Sequence, residues 1–190
     1  MISEEAVAHV AASLGISTNR ARRLAHTALP AGFVRSVTQA PRVLLVEGAT
    51  DAAVFGALVE VPVLAVGGKH VLPLAVAVAR AHGAEVEVVL DGDDGLHRAH
   101  HGSRRVLAEL AGVPVHVLPG DLESVLAQWP SFTEALHRNG STLEVKNPAA
   151  YATAARGAST ADLPQLALCM ITVIRRGGGR PAPSPGPAGA

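Results

Sequence analysis

The sequence predicts an α/β fold: an open parallel sheet of about four strands with helices on both faces, preceded by an N-terminal helical hairpin. Three observations predict it. Val- and Leu-rich runs recur through the middle of the chain, and each is followed by a segment with apolar residues at helical spacing. Runs such as "RVLLV" are apolar throughout rather than alternating, as strands buried on both faces are. From residue 41 onward the two patterns alternate, which implies parallel pairing through right-handed crossovers.

The elements follow in order. "EEAVAHVAASLG" carries apolar residues at helical spacing and ends on Gly15, a C-cap residue; "STNRARRLAHTAL" opens on a Ser/Thr cap signal. With "LGIS" between them, these two helices read as a DNA-binding helix-turn-helix or as a plain hairpin covering one face of the next domain. "RVLLVEG" is the first strand, "DAAVFGALVE" a short helix, and "VPVLAVGG" the second strand. "HVLPLAVAVARAHG" is a helix with Pro73 in its first turn, and "AEVEVVLDGDD" the third strand. "LHRAHHGSRRVLAELAG" is a helix and "VPVHVLPG" the fourth strand. "DLESVLAQWPSFTEALHRNG" is helical with a break near Pro130, and two further helices lie in "LEVKNPAAYATAARG" and "LPQLALCMITVIRR". The Gly/Pro-rich stretch 177–190 has almost nothing to bury and is expected to be disordered. The organisation is therefore an N-terminal helical segment (1–40), an α/β domain with C-terminal helices (41–176) and a tail (177–190).

Composition narrows the function classes. With aromatics at 3% of 190 residues, Val, Leu and Ala must fill the core. The formal net charge is +0, so no bulk positive field announces nucleic acid, although a local basic patch would suffice. A single cysteine, Cys169, excludes an intramolecular disulfide. The acidic opening "MISEEAVAHV" lacks a signal-peptide pattern. The run "LALCMITVI" falls well short of the ~20 residues of a membrane span. The expectation is a cytoplasmic protein with no membrane partner.

The chemistry lies at the strand ends. Glu47 closes the first strand, and Asp91 and Asp93 close the third. In open parallel sheets ligands bind beyond the carboxyl ends of the strands, so neighbouring strands would bring these acids into one crevice. Asp51 falls near the start of the first crossover helix, where the dipole favours a carboxylate. Crowded carboxylates repel one another unless a divalent cation sits among them, and hard oxygen donors suit Mg²⁺ or Mn²⁺. Such a site serves phosphoryl transfer, with one ion activating a nucleophile and a second steadying the leaving oxygen. Taken singly, each stretch reads equally as a helix cap or a solvated turn.

The paired motifs, "VEGATD" and then "LDGDDG", resemble those of the Toprim domain of primases, topoisomerases and the overcoming-lysogenisation-defect (OLD) nucleases, over residues 41–126. The OLD-like subgroup is the most similar, through "VGGKHVLPLAVA", "PGDLESVL" and "EVKNPAAYATAA". The resemblance implies a Toprim-like sheet and metal ligation by Glu47, Asp51, Asp91, Asp93 and Glu123, with two Mg²⁺ or Mn²⁺ ions. It also implies that Lys146 steadies charge developing on phosphate and that Glu47 acts as general acid/base. The expected activity is metal-dependent phosphoryl transfer on nucleic acid, DNA before RNA: phosphodiester hydrolysis by an endonuclease, or nucleotidyl transfer. OLD proteins carry an ATPase with a Walker A loop; "VGGKH" does not match that loop, which implies a stand-alone unit or a separate ATPase subunit.

Other basic residues have two readings each. Lys69 sits at a turn before a helix, where it meets phosphate or is simply solvated. Arg98, Arg104 and Arg105 either contact a nucleic-acid backbone or form an ordinary charged helix exterior. His97 and His101, one helical turn apart, suit a transition metal or a solvated face. Two alternatives compete with the nuclease: a non-catalytic module docking on an ATPase or DNA, and a phosphatase of the haloacid-dehalogenase type with Asp91 as nucleophile.

Overall fold

In a computed structural model of the chain, residues 2–92 and 104–176 are described. Four strands, β1 (Arg42–Val46), β2 (Val63–Ala65), β3 (Glu85–Leu90) and β4 (Val115–Val117), form one sheet in the order β2-β1-β3-β4. Every pairing is parallel, so the α/β expectation holds. β1 and β3 lie side by side, with Leu44 opposite Glu87 and Leu45 opposite Val88.

The N-terminal segment forms α1 (Glu4–Leu14), capped by Ser3, and α2 (Thr18–Thr27), capped by Ser17. A further helix, α3 (Phe33–Gln39), was not expected from the sequence, so the hairpin is extended to three helices. It escapes a periodicity reading because its seven residues bury only Phe33 and Val37. The crossovers are α4 (Ala49–Leu58) after β1, α5 (Leu72–Ala81) after β2, and a helix between β3 and β4 whose described part is residues 104–109 (α6). α7 (Leu122–Leu126), α8 (Pro130–Arg138), α9 (Pro148–Gly157) and α10 (Gln165–Arg176) complete the chain, with the expected break falling at Pro130.

Because side chains alternate across a strand, each strand feeds two cores. Val43, Leu45, Val86, Val88 and Leu90 pack with α1, α5 and α6. Leu44, Val46 and Val89 face the other way, onto α4 and α7–α10. Val43 through Val46 are fully buried, which is why the run is apolar throughout. The few aromatics are not spread evenly. In the second core Trp129 stacks on Phe132, with ring centroids 5.3 Å apart, and Phe132 meets Tyr151 edge to face at 5.6 Å. The first core is built from Val, Leu and Ala with Phe33 as its sole aromatic among the described residues. No described helix is long and apolar enough to cross a membrane. The tail 177–190 lies outside the described residues.

Candidate active site

Glu47 is the residue after β1 and Asp91 the residue after β3. The strands are hydrogen-bonded neighbours, so both acids emerge at one rim. The backbone N–H of Asp91 donates to Glu47 Oε1 at 3.3 Å, which ties the two strand ends together directly.

Three backbone devices hold this rim. The first is the "VGG" turn after β2. Gly67 and Gly68 both donate N–H groups to the carbonyl of Glu47, each at 3.0 Å. Their φ angles of +88° and +131° suit glycine and strain other residues. The turn therefore fixes the end of β1 and delivers Lys69, in a short 3₁₀ turn (Lys69–Val71), beside Glu47. The second is half of a capping box at the start of α4: the Gly48 N–H donates to Asp51 Oδ2 at 2.7 Å, and glycine has no side chain to return the bond. A Cβ on Gly48 would stand 2.9 Å from that oxygen, so the glycine of "VEG" leaves room for the carboxylate. The third is the seam between the β3 and β4 exits. Gly92 donates to the Gly120 carbonyl at 2.9 Å, and a Cβ on Gly92 would lie 2.3 Å from the Leu118 oxygen. That approach brings Asp91 up against the segment leading into α7.

That segment supplies the remaining charges. Asp121 N-caps α7, accepting from the Ser124 N–H at 2.8 Å. Glu123, in the first turn of α7, lies 2.9 Å from Lys146 Nζ. Lys146 belongs to the loop before α9. Fully buried Tyr151 anchors that loop by donating its hydroxyl to the Leu143 carbonyl at 2.8 Å.

The electrostatics follow from this crowding. Burial raises the Asp91 carboxyl from its ordinary 3.8 to about 7, and the charges of Asp51, Glu47, Glu123 and Asp121 push the same way. Burial also raises Glu47, against the pull of Lys69 and the Asp91 N–H. It raises Asp51 too, against the Gly48 N–H. The hydrogen bond to Glu123 raises Lys146 and keeps it cationic. Asp121 is lowered by its bonds from Ser124. The rim is thus a set of partly buried carboxylates held against their mutual repulsion.

The structure brings together Glu47, Asp51 and Asp91, with the Glu123–Lys146 pair acting on them through its field. Lys69 sits on the same rim. Arg104 and Arg105 are exposed on α6, and Arg105 donates to Glu109 at 3.0 Å. Asp93, Arg98, His97 and His101 lie outside the described residues. Among the described residues, no three His, Cys, Asp or Glu side chains are grouped closely enough to hold a cation by themselves. The donor chemistry nonetheless fits a hard divalent ion: the acids are oxygen donors, and positive charge would offset the burial and the repulsion that together raise Asp91. Mg²⁺ in particular keeps waters and substrate oxygens in its shell and does not require a closed protein cage.

Three residues escaped the sequence reading. Asp121 was legible as an Asp-x-x-Ser cap inside "PGDLES". His70 adjoins Lys69 and adds to its field on Glu47, but nothing in the sequence separates it from a surface histidine. Glu87 interrupts the apolar run "EVEVVL", and it is buried, with 5% exposure. It accepts from Arg42 Nε at 3.0 Å and lies 2.8 Å from His116 Nε2, while Arg42 also donates to the Ile174 carbonyl.

Compared with protein-family models and with curated proteins, the chain finds no match.

Proposed function

We propose that this protein is a Toprim-like, Mg²⁺- or Mn²⁺-dependent enzyme that hydrolyses phosphodiesters in nucleic acid, in the manner of an OLD-type endonuclease domain. The observation that carries the reading is the meeting of Glu47, Asp51 and Asp91 at one sheet rim beside the Lys146–Glu123 pair. Glu47, Asp51 and Asp91 would hold cations there, with Asp93 and Glu123 completing the ligand set. When bound, the ions would supply charge stabilisation at the phosphate and an activated nucleophile.

The chain's own residues divide the remaining work. Hydrolysis adds water across a P–O bond: a water oxygen bonds to phosphorus, the bridging oxygen leaves, and protons move from the first to the second. Glu47, raised by burial and placed at the rim, is suited to move one of those protons. Lys146, kept protonated beside Glu123, opposes the negative charge that gathers on the phosphate oxygens. Lys69, held by the glycine turn, adds positive charge where the substrate's phosphate approaches Glu47. A separate ATPase subunit is compatible with this reading, since "VGGKH" spans a strand-to-turn junction without a Walker A pattern.

The test is to mix the purified protein with Mg²⁺ or Mn²⁺ and supercoiled plasmid, single-stranded DNA and RNA, beside Glu47→Ala protein. Nicking or strand cleavage by the parent alone is expected. Equal, background-level cleavage by both proteins across all metals and substrates overturns the reading. Turnover of a small phosphomonoester in its place would transfer Asp91 to a phosphatase role.

A further inference from the structure

The chain is neutral overall, yet its charge is segregated. Residues 6–41 contain Arg20, Arg22, Arg23 and Arg35 and no aspartate or glutamate, while the acids of the rim gather at the carboxyl ends of the strands. Folding sets part of that basic segment against the site. A groove of about 460 Å³ runs between α2, the 3₁₀ turn after β2, α5 and α6. Its polar walls are Arg20 from α2, His70 from the turn, and Arg105 and Glu109 from α6, over an apolar floor that includes Leu24 and Val71. Elements far apart in the sequence thus supply the groove's positive side chains. Glu109 is the one acid on its walls, and Arg105 holds it at 3.0 Å. Arg20 is exposed and, among the described residues, in no ion pair. No rim acid lines the groove, but its end lies toward the rim: His70 lines it and is next to Lys69, and the charge of both acts on Glu47.

We propose that this groove carries the phosphodiester backbone of one nucleic-acid strand toward the acidic rim, with Arg20 and Arg105 as its phosphate contacts. The proposal rests on the phosphoryl-transfer reading above and adds to it the path by which the substrate arrives. The reasoning is electrostatic. A polyanion approaching an acidic site meets repulsion unless a cationic track beside the site offsets it, and guanidinium groups bind phosphate through paired N–H donors. The α2 helix that the sequence offers as a recognition helix would then contribute through its side facing α6, without entering a major groove.

The experiment measures binding of short labelled DNA and RNA strands to the full chain in EDTA, by fluorescence anisotropy over a salt series. Arg20→Ala/Arg105→Ala protein is compared with the parent, with an Arg20→Lys/Arg105→Lys protein, and with Arg23→Ala, an exposed arginine of α2 that does not line the groove. The double alanine variant is expected to bind roughly tenfold more weakly and to lower the slope of log affinity against log salt by about 1.4, two contacts at ~0.7 each for a single strand. The lysine variant should keep the parent's salt slope, and Arg23→Ala should cost less than about twofold in affinity. Unchanged affinity and slope in the double alanine variant overturns the proposal, as does an equal loss in Arg23→Ala. Displacement of the strand by polyglutamate as readily as by unlabelled polynucleotide would reveal a surface for an acidic protein and also overturn it. If the parent binds no strand at all, the groove assignment falls. Metal-dependent hydrolysis of bis(4-nitrophenyl) phosphate, which needs no groove, then decides separately whether the phosphoryl-transfer reading falls with it.

Discussion

The same two strands carry two acidic sites, one buried and one half-buried, and the two behave in opposite ways. Toward the start of β1 and the middle of β3, Glu87 sits between Arg42 and His116. Burial alone would raise its carboxyl, but the hydrogen bonds from Arg42 and His116 outweigh burial and hold it below its ordinary value. About 13 Å further along β3, at ~3.3 Å per residue, Asp91 faces Asp51 and Glu47 and is raised to about 7. One cluster is neutralised from within and ties β1, β3, β4 and the end of α10 together. The other keeps like charges together at the rim. The same carboxyl chemistry is thus held below its ordinary value where counter-charges are built in, and raised where burial and like charges meet.

The sharpest way to break this comparison is Asp91→Asn. Loss of a ligand should reduce metal-dependent cleavage by well over the ~100-fold typical of removing an outer-shell partner. The metal-free protein should nevertheless become more stable. Between the unfolded value of 3.8 and about 7 the folded state holds the extra proton, so metal-free stability falls as pH rises through that window. Removing the acid removes that loss. At pH 8 the variant should gain ~1–2 kcal/mol after solvent screening is allowed for, a few degrees in Tm, and the gain should vanish below pH 4. Thermal melts in EDTA at the two pH values check this, and a variant less stable than its parent at pH 8 contradicts the assignment of the rim.

Glu87→Gln should do the reverse. Removing one member of a buried ion pair strands the other, at a cost of about 3 kcal/mol, while Mg²⁺ binding at the rim stays near the parent's. Because the folded value of Glu87 is depressed, its contribution is complete above the unfolded value of 4.5 and is lost as pH falls through the lower folded value. Urea titrations across this acid range should show a flatter pH dependence in Glu87→Gln than in the parent.

Gly92→Ala tests the seam between the β3 and β4 exits. The added methyl meets the Leu118 carbonyl, so the backbone must shift, at a cost of about 1–3 kcal/mol. Its cleavage rate should fall further than its stability loss explains, since Asp91 precedes it directly. Lys146→Ala has the smallest structural effect. Its pairing with Glu123 is two-thirds exposed on the lysine side, so melting should change by less than ~1 kcal/mol. Cleavage should drop at least tenfold while Mg²⁺ affinity is retained, and intact cleavage would remove Lys146 from the proposed chemistry.

Much of this molecule was legible in one dimension. Uninterrupted runs such as "RVLLV" signal strands buried on both faces, and Ser17 and Pro73 mark helix starts with local chemistry. Glu47, Asp51 and Asp91 were legible because strand ends place residues at a rim by connectivity alone. Glu87 was not, because its meaning depends on Arg42 and His116, which lie 45 and 29 positions away. Glu123 was named through the resemblance of "PGDLESVL", but that it and Asp121 come near Asp91 depends on the Gly92–Gly120 contact. The short α3 carries too few buried residues to display a period.

Sequence alone determined the alternation of strands and helices, the class of fold, and which acids end which strands, because these depend on local periodicity and the pull of apolar residues into a core. The tertiary structure alone decided that β1 and β3 are neighbours, that Glu87 is neutralised while Asp91 is raised, and that an arginine of α2 lines one groove with an arginine of α6. Those outcomes turn on distances between side chains remote in the chain, and electrostatic energy depends on separation and burial, which only the folded arrangement sets.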